Sequence, residues 1–298
     1  MDAGLYFLGR ALVALVQSLP LWWVARLGRS LGGLAFWLDA RHRRVALRNL
    51  ALCFGAEKSP AEIRALAREH FRRLGENYLC AIKTAAMSLD ALRPCVTFVG
   101  HEEIRREVAG GKLQSLVVAI GHFGNFELYA RFGQFMSGFQ GLTTYRGLRQ
   151  SSLNRLMQSL RERSGCRFFE RRTEAAVLKA ALRETGVILG LLADQHAGDK
   201  GRRLPFFGHA CSTSAAPALF ALRYRLPLRT AVCFRSGPGC WRIEVGDEIP
   251  TRENGRPRSV EAIALDMNRA FETAIRRDPA NWFWVHKRWK PAPKNRPT

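Results

Sequence analysis

His122 and Glu127 are the side chains whose types and spacing are suited to proton transfer. They lie in residues 115–130, SLVVAIGHFGNFELYA. An apolar, β-branched run over 115–120 predicts a buried strand, and Gly121 breaks it. Gly124-Asn125 offers a turn in which Asn125 is placed to cap a helix, and Phe126, Leu128, Tyr129 and Phe132 predict that helix. On one continuous helix, side chains five positions apart diverge, but across a strand-to-helix turn they converge. A carboxylate in that position fixes the imidazole tautomer and balances the charge it gains on taking a proton, which is general-base chemistry. A bare His-x4-Glu also arises by chance; the strand, glycine and turn around it favour the catalytic reading.

Two further predicted strands, the second a continuous apolar run, end in polar residues. Residues 141–145 end at Tyr145-Arg146, and residues 187–193 end at Asp194-Gln195. Together with His122 these ends predict one edge of one sheet, where open α/β folds bind ligands. A helix over 153–163 carries Arg155, Arg161 and Arg163 and stops before Gly165. Ser59-Pro60-Ala61-Glu62 is a capping box with proline in the first turn. Strands are expected at 96–99, 227–234 and 241–249. Helices are expected at 101–109, 174–184 capped by Thr173, 212–224 and 259–277. This alternation predicts a single α/β domain over 41–298 with a central mixed sheet flanked by helices.

The N-terminal part is apolar over 3–38, interrupted by Arg10, Gln17, Pro20, Arg26 and Arg29. Residues 11–25 are short for a span, whereas 3–25 suffices if Arg10 snorkels. Residues 1–40 are therefore expected to anchor the chain at a membrane, with an amphipathic helical hairpin packed on the domain as the alternative. Trp22, Trp23 and Trp37 suit an interface, and Arg41-His42-Arg43-Arg44 places that flank, and the domain after it, on the cytoplasmic side. The terminal Trp282, Trp284 and Trp289 with Lys287, Arg288 and Lys290 either meet that interface or close the core.

Lys and Arg number 47 against 25 Asp and Glu, a net charge of +22, which calls for an acidic partner. Seven scattered cysteines without a CxxC pair argue against a disulfide framework and a zinc site. GxSxG, P-loop, GxGxxG and HExxH motifs are absent, and no helix-turn-helix, RNP or zinc pattern supports nucleic-acid binding.

Gly121-His122-Phe123-Gly124-Asn125-Phe126-Glu127 resembles the HX4E/D box of membrane acyltransferases. With Tyr145-Arg146, the arginine-rich helix before Gly165, Ala193-Asp194-Gln195, Phe206-Phe207-Gly208 and Trp284-Val285-His286-Lys287-Arg288, the chain resembles the bacterial late lipid A acyltransferases along nearly its full length. The resemblance implies transfer of a fatty acyl chain from an acyl carrier protein thioester, or acyl-CoA, to a hydroxyl of a phosphorylated glycolipid at the bacterial inner membrane. It implies neither cofactor nor metal. His122 is the implied base with Glu127 holding it, Arg161 or Arg163 the implied substrate arginine, and Arg146, Asp194 and Gln195 further substrate contacts. Asp194 would orient Arg161 or bind the sugar headgroup. Another glycolipid or phospholipid acceptor with acyl-CoA as donor is the alternative.

Overall fold

The computed structural model describes residues 2–111, 113–136 and 138–290. Four helices come first: α1 (Asp2–Ser18), α2 (Leu21–Leu38), α3 (Ala40–Phe54) and α4 (Pro60–Ala86). Pro20 has no N–H to continue a helix, so the apolar stretch expected as one span is two helices with a turn between them. Among the described residues no helix is long and apolar enough to cross a membrane.

Instead α2 lies directly on α4. A Cβ at Gly32 would sit 2.1 Å from the Phe71 carbonyl oxygen, and one at Gly75 would sit 2.2 Å from that of Gly28. The two backbones meet at these glycines. Arg29 then spans the same contact, with Glu69 at 3.0 Å and Glu76 at 3.3 Å. The expected capping box opens α4: Ser59 accepts from the Glu62 N–H, and Glu62 accepts from the Ser59 N–H.

The rest of the chain builds the sheet. In order come α5 (Leu89–Leu92), β1 (Val96–Val99), α6 (Glu102–Ala109), β2 (Leu116–Ile120), α7 (Phe132–Phe135), β3 (Gln140–Tyr145) and α8 (Ser151–Arg161). They are followed by β4 (Arg167–Glu170), α9 (Ala175–Ala181), β5 (Val187–Leu192), β6 (Arg202–Phe206), β7 (His209–Thr213), α10 (Ala216–Tyr224), β8 (Leu228–Gly237), β9 (Cys240–Glu248) and α11 (Val260–Arg277). Seven strands lie in the order β1-β9-β8-β2-β5-β3-β4. Only β8 and β9 run antiparallel, so the sheet is mixed, as expected. β2 and β5 are central, and as in most parallel strands covered on both faces they read as continuous apolar runs.

Several local expectations fail for physical reasons. No regular helix follows Asn125; residues Phe126–Arg131 form a 3-10 turn leading into α7. Asn125 does not cap it, because its amide donates to Thr84 Oγ1 at 3.2 Å. Thr173 does not cap α9 either, since its hydroxyl donates to Glu170. The helix expected from 212 begins at Ala216, because Ser212 and Thr213 belong to β7, paired with β6. Trp282 and Trp284 are buried, 4.7 Å apart ring to ring, and Arg288 is buried with them, so this strap closes the core.

Candidate active site

Register brings the site together. β2 and β5 pair in parallel with Ile120 opposite Leu192, so the residues two beyond each, His122 and Asp194, emerge side by side at the C-terminal edge. Asp194 Oδ1 lies 2.7 Å from His122 Nδ1, and Oδ2 accepts from the His122 backbone N–H at 2.7 Å. Trp282 Nε1–H gives Oδ2 a further bond at 2.7 Å. Asp194 is fully buried. Burial alone would push its carboxyl up, but the adjoining imidazole and these donors outweigh burial and hold it below its ordinary 3.8. The ionised carboxylate can only accept, so Nδ1 carries the proton in the neutral ring and Nε2 is left bare as a base.

Glu127 is not the partner of the imidazole. Both of its oxygens are taken by Arg161, with Nε at 3.1 Å and Nη2 at 2.7 Å. Arg161 also lies over the Phe168 ring, 4.8 Å from its centroid. The strand-to-helix turn expected to join His122 to Glu127 is a 3-10 turn, and it presents Glu127 to α8. Asp194 therefore takes the position on the ring expected for Glu127, and Glu127 aligns the guanidinium that Asp194 was expected to orient.

His122, Glu127 and Arg161 line two cavities. The larger, about 590 Å³, runs from the sheet edge at Arg146 and Gln195 to an apolar floor that includes Val118, Ile188 and Val245. The smaller, about 280 Å³, lies on the side of α1, α4 and α8. Arg163 lines neither; its guanidinium donates to the Ala86 carbonyl at 3.3 Å. Tyr129 faces the larger cavity, but its hydroxyl donates to the carbonyls of Gly121 and Ala231, and burial raises its pKa further. Cys166 lines the same cavity with its thiol pushed up to about 12 by burial, which removes it as a nucleophile.

Sequence reasoning missed Trp282 as a site residue and Arg288 as its support. Arg288 donates to the Gln195 carbonyl at 3.0 Å and to Thr213 Oγ1 at 3.0 Å, which anchors the turn carrying Asp194. The clustering of tryptophan with arginine near the C-terminus was the available signal. Nothing in the linear text shows that Trp282 pairs with Phe123, the residue after His122.

An imidazole held by a buried carboxylate, flanked by a paired arginine and two largely apolar cavities, has the chemistry that group transfer requires. Over residues 2–291 the chain matches the family of bacterial lipid A biosynthesis acyltransferases, and it belongs to that family. It is an O-acyltransferase. It is 27% identical over 299 residues to the lipid A biosynthesis lauroyltransferase of Escherichia coli (strain K12), covering 99% of this chain and 94% of that one. It is 24% identical over 295 residues to the lipid A biosynthesis palmitoleoyltransferase of the same organism and to a lipid A biosynthesis acyltransferase of Shigella flexneri, in each case over 97% of this chain and 92% of the relative.

Proposed function

We propose that this chain moves a fatty acyl group from a thioester, on acyl carrier protein or coenzyme A, to a hydroxyl of a lipid A precursor, with His122 as base. The observation that carries the reading is the imidazole fixed through Nδ1 by buried Asp194 where two largely apolar cavities meet. Nε2 takes the proton of the acceptor hydroxyl as its oxygen attacks the thioester carbonyl. The tetrahedral intermediate expels the thiolate, which recovers the proton from the imidazolium, so no covalent enzyme intermediate is needed. Asp194 stabilises the imidazolium. Arg161, with Nε and Nη2 held by Glu127, keeps Nη1 for the oxyanion or for a phosphate of the acceptor. Arg146 and Gln195 are further substrate contacts at the cavity rim.

The exposed apolar faces of α1 and α2 and the net charge of +22 support attachment to an anionic bilayer, the cytoplasmic face of the inner membrane. The test incubates detergent-solubilised protein with acyl-carrier thioester and tetra-acylated lipid A precursor, beside His122→Ala. Transfer by the native protein and a loss of roughly 10²–10⁴-fold in the folded variant are expected. Equal rates would remove His122 as the base. Transfer with acyl-CoA alone would select the other donor.

A further inference from the structure

The smaller cavity has a lining that the donor chemistry leaves unexplained. Its walls are mostly apolar, with Val13 from α1, Leu74, Ala81 and Ile82 from α4, and Leu156 and Leu160 from α8. Into this wall are set four buried polar atoms with no hydrogen-bond partner: His70 Nε2, Asn77 Oδ1, Asn125 Oδ1 and Asn281 Oδ1. They are four of the nine such atoms among the described residues, gathered in one chamber.

All four are acceptors. Asn281 Nδ2 donates to the Cys233 carbonyl at 2.8 Å, which fixes the amide with its oxygen free. Asn125 Nδ2 donates to Thr84 Oγ1. His70 is buried and held neutral, its pKa lowered to about 4, and its Nδ1 faces the Ala280 carbonyl at 3.3 Å. That carbonyl needs a donor, so Nδ1 carries the hydrogen and Nε2 is bare. Buried acceptors without donors are a standing cost, and a cluster of them is complementary to something that brings donors.

We propose that this chamber binds an acyl chain of the acceptor lipid, one carrying its own hydrogen-bond donors as a hydroxyl or an amide N–H, and so delivers the hydroxyl to His122. The inference rests on the acyl-transfer reading and adds which substrate lies where. The apolar wall suits a hydrocarbon chain, and the acceptor-only polar set suits a chain substituted with O–H or N–H. Tyr78 of α4 lines the chamber and is half-exposed, so the lining reaches the surface there, and α1, which contributes Val13, carries exposed Leu8, Leu12 and Leu15. A lipid can therefore enter from its own phase. The larger cavity, with Arg146 and Arg171 in its lining, is left for the thioester. The two substrates then meet at His122 from opposite sides.

The test measures KM for acceptor and donor separately, with folding followed by thermal unfolding. Ala81→Leu fills the chamber, and Asn77→Leu removes one unpaired acceptor without breaking a bond. Both are expected to raise the acceptor KM about tenfold and leave the donor KM within about twofold. Asn77→Leu is expected to hold or raise the unfolding temperature, so it keeps the test valid if Ala81→Leu misfolds. A rise in donor KM alone, or no change in either KM, would overturn the assignment while leaving the acyl-transfer reading intact. Failure of the native protein to use any thioester would instead overturn that reading, and the assignment with it.

Discussion

Asp194 holds its charge in the buried interior because two N–H groups and an imidazole surround it. Asparagine is nearly isosteric but presents an amide, so the ring loses its reason to keep the proton on Nδ1. Asp194→Asn is therefore expected to cut kcat by roughly 10²–10⁴-fold with little change in KM, measured on the folded variant. Glu127→Gln removes the charge facing Arg161 but leaves the dyad standing. Its loss is expected to be the smaller of the two; the reverse order in steady-state kinetics would return Glu127 to the imidazole. His70 makes a second residue-scale claim, about stability. Its folded-state pKa of about 4 lies below its ordinary 6.5, so between these values the unfolded chain binds a proton that the folded chain refuses. Stability is fully present above pH 6.5 and is lost as pH falls toward 4, by up to about 1.4 kcal/mol per unit from this residue. Urea midpoints at pH 7.5 and 5.5 should separate in the native protein and draw closer in His70→Gln; an unchanged gap would remove His70 as the cause.

Elements differ in how openly they announce themselves. The capping box of α4, the apolar runs of β2 and β5, and the end of α11 at Asp278-Pro279 are local in cause, so they are legible in sequence. β4, β6 and β7 are not, because short strands such as Arg167–Glu170 owe their form to a neighbouring strand. The site divides in the same way. His122 is legible from its strand and glycine, and Asp194 from the end of another apolar run, but their meeting depends on the register of β2 against β5, which no local pattern reports. Sequence proximity points to Glu127 as the neighbour of His122, whereas the carboxylate bonded to the ring lies 72 residues away and Glu127 meets Arg161. Contact between α2 and α4 supplies a test at this scale. Gly32→Val forces a branched side chain against the Phe71 backbone, which cannot yield as a flexible side chain would. A loss of at least about 2 kcal/mol is expected. Gly33→Ala, one position on, meets only the Arg72 side chain at 3.5 Å and should be neutral or stabilising by up to about 1 kcal/mol. Equal denaturant midpoints for the two variants would mean that the glycine contact does not hold these helices together.

At the scale of the whole molecule, exposed apolar and basic residues lie on the same N-terminal helices. Phe7, Leu8, Leu12 and Leu15 on α1 and Trp22, Trp23, Leu31, Leu34 and Trp37 on α2 are exposed, far more than isolated surface hydrophobics require. Arg41 and Arg44 stand exposed just after them. The proposed bilayer attachment would satisfy both, its hydrocarbon edge taking the rings and its anionic headgroups the guanidinium groups. Because the helices are packed on the domain and not suspended from it, such docking would fix the opening of the smaller chamber at the depth of lipid chains. Two separable contributions to binding are therefore expected in sedimentation with vesicles containing anionic lipid. Raising salt should weaken binding without abolishing it, because screening acts only on the charged part. Replacing Trp22, Trp23 and Trp37 together with serine should lower partition by roughly tenfold or more even at low salt, and should lower activity on bilayer-embedded acceptor more than on acceptor dispersed in detergent. Full partition by the triple variant would show that charge alone attaches the enzyme, and the route from bilayer to His122 would then need an entrance other than the α1 side.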